Sequence, residues 1–340
     1  MAGNFVQLHN HTHYSLLDGA SKVPDLVKRV KELGMPAVGI TDHGNMHGAY
    51  ELWRAAVDSG VKPIIGIEAY VTPETARQDK TRVSWDTNWT PVPGHARNPD
   101  DVSGGGLITH LTMWAENDEG LVNLIKASSV ANLEGRVMRY PRMDKEVLST
   151  YSKGVIASSG CPSGIIQTRL RLGQFDEALR AAGEFQDIFG KDNFYIELMD
   201  HGLSIESKVT GDLLTIAKKL GAPLLATNDS HYVMEADKDA QDAMLCINSG
   251  ATLDDPNRFK FEGSGYYIKS AEEMRELFKD HPDACDNTLE IAERCNVIFD
   301  DHEDGAFMPQ FDCPEGWDET SLFLKKVEEG LEKRYDGNPP

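Results

Sequence analysis

The stretch Phe5-Val6-Gln7-Leu8-His9-Asn10-His11-Thr12-His13-Tyr14-Ser15-Leu16-Leu17-Asp18-Gly19 begins apolar and ends in side chains of metal-ligand type. A strand is expected over Phe5 to His9. On an extended chain the rings of His9 and His11, two residues apart, leave the same face and can reach one ion. An isolated H-x-H pair is a weak signal. The residues that follow strengthen it: Pro24 to Leu33 has helical period, with Leu26, Val27, Val30 and Leu33 on one face, and a second strand, Ala37 to Thr41, again ends in ligand types, Asp42-His43. Strand, helix and strand with chemistry at the strand end form the repeating unit of an α/β barrel.

The rhythm continues to about position 250. Further strands are expected at Pro63 to Val71, Leu107 to Ala115, Gly154 to Ser158, Phe194 to Met199 and Pro223 to Thr227. Helices are expected at Ala49 to Asp58, Leu121 to Leu133, Asp176 to Phe189 and Ile205 to Leu220. Gly34, Gly60, Gly190 and Gly221 each stand where a left-handed helix cap is wanted. Glu68, His110, Cys161, Asp229 and His231 recur in or just after the later strands. In a closed parallel barrel the carboxyl ends of the strands share one face, so these side chains converge. Such a set exceeds the roughly four ligands that one zinc ion takes, so more than one metal is expected. Without cations, a buried cluster of carboxylates and imidazoles would be costly to desolvate.

Other candidates are weaker. His13 is expected to turn away, and His47 and His95 to be solvated. Glu197, Asp200 and His201, at and after the sixth strand, are the best unassigned group near the pocket. Cys246, Cys285, Cys295 and Cys313 read as structural or exposed. There is no G-x-x-x-x-G-K-[ST], Gly104-Gly105-Gly106 precedes a strand, and Ser163 lacks a nucleophile elbow.

The 340 residues carry 34 Lys plus Arg against 55 Asp plus Glu, a net charge of −21, which argues against an unaided grip on nucleic acid. Hydrophobic residues at 40% and charged residues at 26% fit a folded soluble protein, not a disordered chain or a rod. No apolar stretch is long enough to span a membrane and the first residues lack a secretory pattern, so a cytoplasmic protein is expected. Five cysteines without a C-x-x-C pair suggest reduced thiols. Two regions are expected: a barrel over 1–250, with a long aperiodic insertion at 72–106 in which Trp85 and Trp89 suggest partial packing, and an extension over 251–340. The amphipathic run Leu322, Leu324, Val327, Leu331 has no later apolar segment to pack on, as in a cut from a longer polypeptide.

The runs Leu8 to Gly19, Gly39-Ile40-Thr41-Asp42-His43-Gly44-Asn45-Met46, Ile65-Gly66-Ile67-Glu68-Ala69-Tyr70, Ser159-Gly160-Cys161-Pro162-Ser163-Gly164 and Ala226-Thr227-Asn228-Asp229-Ser230-His231-Tyr232 closely resemble the polymerase and histidinol phosphatase (PHP) domain. The form resembled is the one that opens the alpha subunit of bacterial replicative DNA polymerase III, in the actinobacterial manner, over essentially the whole chain. The resemblance implies a distorted (β/α)7, TIM-barrel-like fold with a trinuclear metal centre at the carboxyl-terminal face of the strands. It implies nine ligands: His9, His11, Asp18, His43, Glu68, His110, Cys161, Asp229 and His231. It also implies a metal-dependent 3′ to 5′ exodeoxyribonuclease that proofreads, acting on a DNA primer 3′ end. The implied partners are the remainder of the polymerase subunit, whose polymerising residues would lie beyond Pro340, and through it the sliding clamp and other replisome subunits.

The expected chemistry is two or three divalent ions clamping an in-line phosphodiester hydrolysis. Glu68 is the candidate bridge and Asp229 a second. Asp18, His43 and His231 would complete a third position, so the catalytic assignment falls on Asp18, His43, Glu68, Asp229 and His231. Cys161 favours zinc, while Asp18 and the shared carboxylates tolerate Mn²⁺ or Mg²⁺. Arg97, Arg169 and Arg171 are the guesses for aligning the 3′ end. Two rivals stand beside this reading: a non-catalytic, metal-stabilised scaffold of the polymerase, and a phosphomonoesterase of histidinol-phosphatase type.

Overall fold

Ala37-Val38-Gly39-Ile40 is buried at every position and forms strand β1 (Ala37–Ile40), short because polar ligand-type residues follow at once. The structure, a computed structural model, describes residues 5–16, 18–86, 88, 90, 98, 100–101, 105–299 and 311–338. The readings that fell on Trp89, His95, Arg97, Gly104 and the two chain ends lie outside the described residues. After β1 come β2 (Lys62–Val71), β3 (Thr109–Ala115), β4 (Arg142–Met143), β5 (Val155–Ser158), β6 (Phe194–Leu198) and β7 (Leu224–Ala226). They form one curled sheet in the order β1-β2-β3-β5-β6-β7, with β4 paired to β2 off that path.

Two expectations change. Phe5 to His9 forms no continuous ladder; the segment makes single bridges, Gln7 to Val38 on one side and Asn10 to Ser230 on the other. Its backbone carries bonds both ways, from Gly39 N to Gln7 O (2.8 Å) and from His11 N to Ser230 O (2.8 Å), so it joins β1 to the residues after β7 and closes the ring. Nor is the barrel all parallel, because β3 runs antiparallel to both β2 and β5. The insertion after β2 brings the chain back at the end it left, without the crossover that a parallel neighbour needs. His110, near the start of β3 and opposite Tyr70, therefore lies at the same end as residues that follow the other strands.

The helices are α1 (Val23–Glu32), α2 (Ala49–Ser59), α3 (Asp118–Glu134), α4 (Lys145–Thr150), α5 (Ile165–Arg171), α6 (Phe175–Phe189), α7 (Ser204–Leu220), α8 (Lys238–Ser249), α9 (Ala271–Leu277), α10 (Pro282–Arg294) and α11 (Glu319–Arg334). α1 buries Val23, Leu26, Val27 and Val30, the apolar stripe of its sequence, against the sheet. α3 starts where the Asn117 side chain accepts from Gly120 N. Gly60 and Gly221 end α2 and α7 in the left-handed conformation, whereas Gly190, with φ 94° and ψ 152°, leaves α6 by a different turn.

Inside the ring, Val6, Leu8, Ile64, Trp114, Ile156 and Leu225 form one core cluster with Ile291, Ala292 and Cys295, the last three from α10 and its cap. The chain divides into two units, 1–298 and 299–340; α9 and α10 belong to the first, and α11, none of whose residues is buried, to the second. Part of the insertion is pinned. Trp85 is buried beneath the Arg169 guanidinium, 4.2 Å from its ring centre. Arg142, fully buried, donates to the carbonyls of Arg77, Asp79, Leu107 and Gly135.

Candidate metal centre

His9 and His11 leave the ring-closing segment on its inner face and are both fully buried. Across from them Glu68, 1% exposed in the middle of β2, is bridged in register to His43 on one side and Thr112 of β3 on the other. His9 Nε2 lies 3.4 Å from Glu68 Oε1 and 3.4 Å from Asp229 Oδ1, and His11 Nε2 lies 3.0 Å from Asp229 Oδ1. Glu68 Oε2 is 2.7 Å from His43 Nδ1 and 3.0 Å from His110 Nδ1. The outer members are Asp18, 3.2 Å from His43 Nε2, and Cys161, whose Sγ is 3.3 Å from His110 Nδ1. The His231 ring stacks 4.3 Å from that of His11. All nine sequence-derived residues thus meet at one end of the barrel.

Three overlapping sets bring their ligand atoms within 4.8 Å of one another: His11, His43 and His231; His9, His11 and Asp229; His43, Glu68 and His110. Asp18 and Cys161 join none of the three and sit at the rim of the group.

Buried partners orient the rings. His9 Nδ1 donates to Glu197 Oε1 (2.7 Å), and that carboxylate also accepts from the hydroxyls of Thr227 and Ser158. Ser15 Oγ donates to Asp42 Oδ1 (2.7 Å), so the ring nitrogen 2.9 Å away, His11 Nδ1, must be its donor. His231 Nδ1 donates to the carbonyl of Asp229 (2.8 Å). In each ring the Nε2 lone pair is left for another partner, as second-shell bonds do around a metal.

Yet His9 Nε2, His11 Nε2, both oxygens of Glu68 and Asp229 Oδ1 are buried without any hydrogen bond, although the neighbours above lie close. Imidazole nitrogens and carboxylate oxygens that converge in a dry site without hydrogen bonds are what a cation satisfies. Imidazole, carboxylate and thiol are a donor set that suits divalent transition ions. The residues fit the group that the sequence implied.

Against burial, Asp229 and Glu197 hold His9, and Asp18 holds His43, well above the usual imidazole range, so that without an ion these two rings carry the positive charge that the carboxylates demand. Burial lowers His11 to about 3, helped by His43 and His231, so the ring stays neutral and able to ligate. Burial works against ionised Asp229, but His9 and His231 hold its pKa well below the usual carboxylate range. Glu68 is likewise kept ionised against its burial by His110 and His43. Burial, with Glu68 and Asp229, drives the Cys161 thiol well up, so a thiolate there calls for a cation. Asp229 also stands at φ 45°, a left-handed setting uncommon outside glycine, of the kind met at functional sites.

Other readings separate. Asp42, quoted with His43, is no member of the cluster; it accepts from Thr12 N and the hydroxyls of Thr12 and Ser15. Of the unassigned trio, Glu197 is the orienting partner of His9. His201 pairs with Glu206 and donates toward Asn228 O, and Asp200 accepts from Gly202 N. His13, half-buried, packs against Tyr14 with Glu51 near, and His47 is exposed. Arg169 is tied to Glu74 and Gln174, and Arg171, buried, holds the Asp100 carbonyl and lies within electrostatic reach of Cys161. Sequence reasoning passed over Ser15 and Thr227, whose hydroxyls carry no periodic signal.

A model of the PHP domain matches residues 7–201, more than half of the chain. The chain belongs to the PHP domain family. Curated relatives extend the likeness past the matched region. This PHP chain is 51% identical over 338 residues to the DNA polymerase III subunit alpha of Mycobacterium leprae, covering 99% of the chain and 28% of that protein. With that of Mycobacterium tuberculosis it shares 50% over 338 residues, again 99% of the chain and 28% of the relative. With that of Borreliella burgdorferi it shares 39% over 335 residues, 97% of the chain and 27% of the relative. The chain therefore spans little more than a quarter of these relatives. Among the described residues no helix is long and apolar enough to cross a membrane.

Proposed function

We propose that this PHP chain is the metal-dependent 3′ to 5′ exonuclease domain of the alpha subunit of a cytoplasmic bacterial replicative DNA polymerase, hydrolysing the terminal phosphodiester of a DNA primer for proofreading. One observation carries the reading: buried ligand atoms of Glu68, Asp229, His9 and His11 converge without hydrogen bonds. Three divalent ions, zinc, manganese or magnesium, are the proposed cofactors, held by the nine residues. Bound there, they would supply positive charge to phosphate oxygens and make a water acidic enough to attack at neutral pH.

The chain's own groups do the rest. Glu68 presents one oxygen to His9 and the other to His43 and His110, so it can serve two positions at once. Asp229 faces both His9 and His11. Asp18, His43 and His231 border a cleft of about 670 Å³, which gives a substrate its way in. The relatives supply the polymerase context, and the proposed partners follow from it: the primer end, the rest of the subunit, the sliding clamp and other replisome proteins.

The test is nucleotide release from a 3′-mismatched primer, with a phosphomonoester as control, by the purified full-length protein freed of other nucleases. Asp229→Asn keeps the side chain's size and removes a charge. It should cost about 10² to 10³ in rate while the fold persists. Parental rates from a well-folded Asp229→Asn protein would sink the nuclease reading in favour of the scaffold. Turnover of the phosphomonoester alone would point to the phosphatase.

A further inference from the structure

Beside the ligand cluster stands a group of aromatic side chains that no step above uses. Phe261 meets the His231 ring edge-on at 4.7 Å and Tyr266 at 4.8 Å. Phe259, 5.9 Å from Phe261, is 61% exposed and lines the same cleft as Asp18, His43 and Asp229. The loop that carries them is anchored at both ends: His231 N donates to Tyr266 O (2.8 Å), and Arg258 pairs with Asp242. Tyr266 in turn stacks on His201, 4.1 Å away and nearly parallel. Phe259 thus presents an apolar ring face to the cleft, on a braced loop beside the ligand cluster. Lys260, between the two phenylalanines, also lines the cleft and makes no ion pair among the described residues.

We propose that Phe259, backed by Phe261, is a stacking platform for the unpaired base of the 3′-terminal nucleotide, with Lys260 placed for a phosphate of the same strand. This rests on the exonuclease reading and names what that site selects. Proteins hold single strands by cationic grooves and by base stacking on aromatic rings. A chain of net charge −21 is short of the first, which leaves stacking and its metals. A base can reach Phe259 only by leaving the primer helix, and leaving is easiest for a mismatched end. The platform would therefore favour frayed ends over paired ones without reading base identity.

The probe is a single-stranded oligodeoxynucleotide with 2-aminopurine at its 3′ end and a phosphorothioate terminal linkage that keeps it intact. The protein is used full-length and metal-loaded. Binding should quench the fluorescence as the base stacks. Phe259→Ala should abolish the quenching and weaken binding about tenfold, a stacking-sized loss, and Phe259→Trp should restore both. Because Phe259 is largely exposed, neither change threatens the fold. Quenching that is the same in parent and Phe259→Ala, or its absence when the parent binds, would overturn the platform, as would failure of the parent to bind. Hydrolysis of the unmodified oligonucleotide is followed separately. Nucleotide release with quenching independent of Phe259 removes the platform and leaves the exonuclease. Phe259-dependent quenching without release keeps the platform and removes the exonuclease.

Discussion

Glu197 shows how much of a site can depend on a residue that would touch no ion. Fully buried, its carboxylate takes the Nδ1 proton of His9 and two hydroxyl hydrogens, and so holds the His9 Nε2 lone pair toward Glu68 and Asp229. Glu197→Gln preserves the shape but exchanges one accepting oxygen for a donating NH2 and removes the charge that fixes the ring. Metal affinity should fall about 10- to 100-fold, read by competition with a chromophoric chelator, while melting of the metal-free protein shifts little. An unchanged affinity would deny Glu197 this positioning role. Glu197 was visible in the sequence only as an acid near a strand end. Nothing in its spacing distinguished a ligand from a partner of a ligand, since both lie on the inner face.

Among the elements, β4 and the insertion after β2 carry the largest departure from a regular barrel. β4 is two residues long, and Arg142 within it is bonded to four backbone carbonyls, two of them in the insertion. Among the described residues those carbonyls have no other donor once the guanidinium is gone; the Leu107 and Gly135 positions are buried, and each unsatisfied buried group costs about 1–3 kcal/mol. Arg142→Leu should lower stability by more than about 3 kcal/mol in urea titration. A change below about 1 kcal/mol would mean that water replaces the arginine freely. The periodicity of α1 was plain in the sequence because its burial follows a single face. β4 was not, because two residues carry no period, and an arginine reads as surface until its partners are known.

For the whole molecule, the cluster makes stability depend on metal. Ions that bind the folded chain and not the unfolded one add about 2.7 kcal/mol per site at 100 times the dissociation constant. Chelation should therefore lower the melting temperature, and the His9→Ala, His11→Ala double variant should respond less to chelator than the parent. Coincident melting curves for metal-loaded and stripped protein would contradict this. The effect should concern the unit 1–298, which contains all nine residues, while α11 lies in the other unit with none of its residues buried.

The sequence by itself determined the alternation of short buried strands with one-faced helices, and the ligand types near the strand ends, because both are local patterns of period and composition. It also carried the family likeness, residue by residue. Only the tertiary structure decided that β3 turns antiparallel and that the first segment closes the ring by single bridges, because strand direction and closure depend on partners far away in the chain. The same holds for the division between Asp42, spent on hydrogen bonds, and its neighbour His43, which faces Glu68 and Asp18. Both follow the end of β1, where no strand period fixes direction, and only the packed barrel shows what each side chain meets.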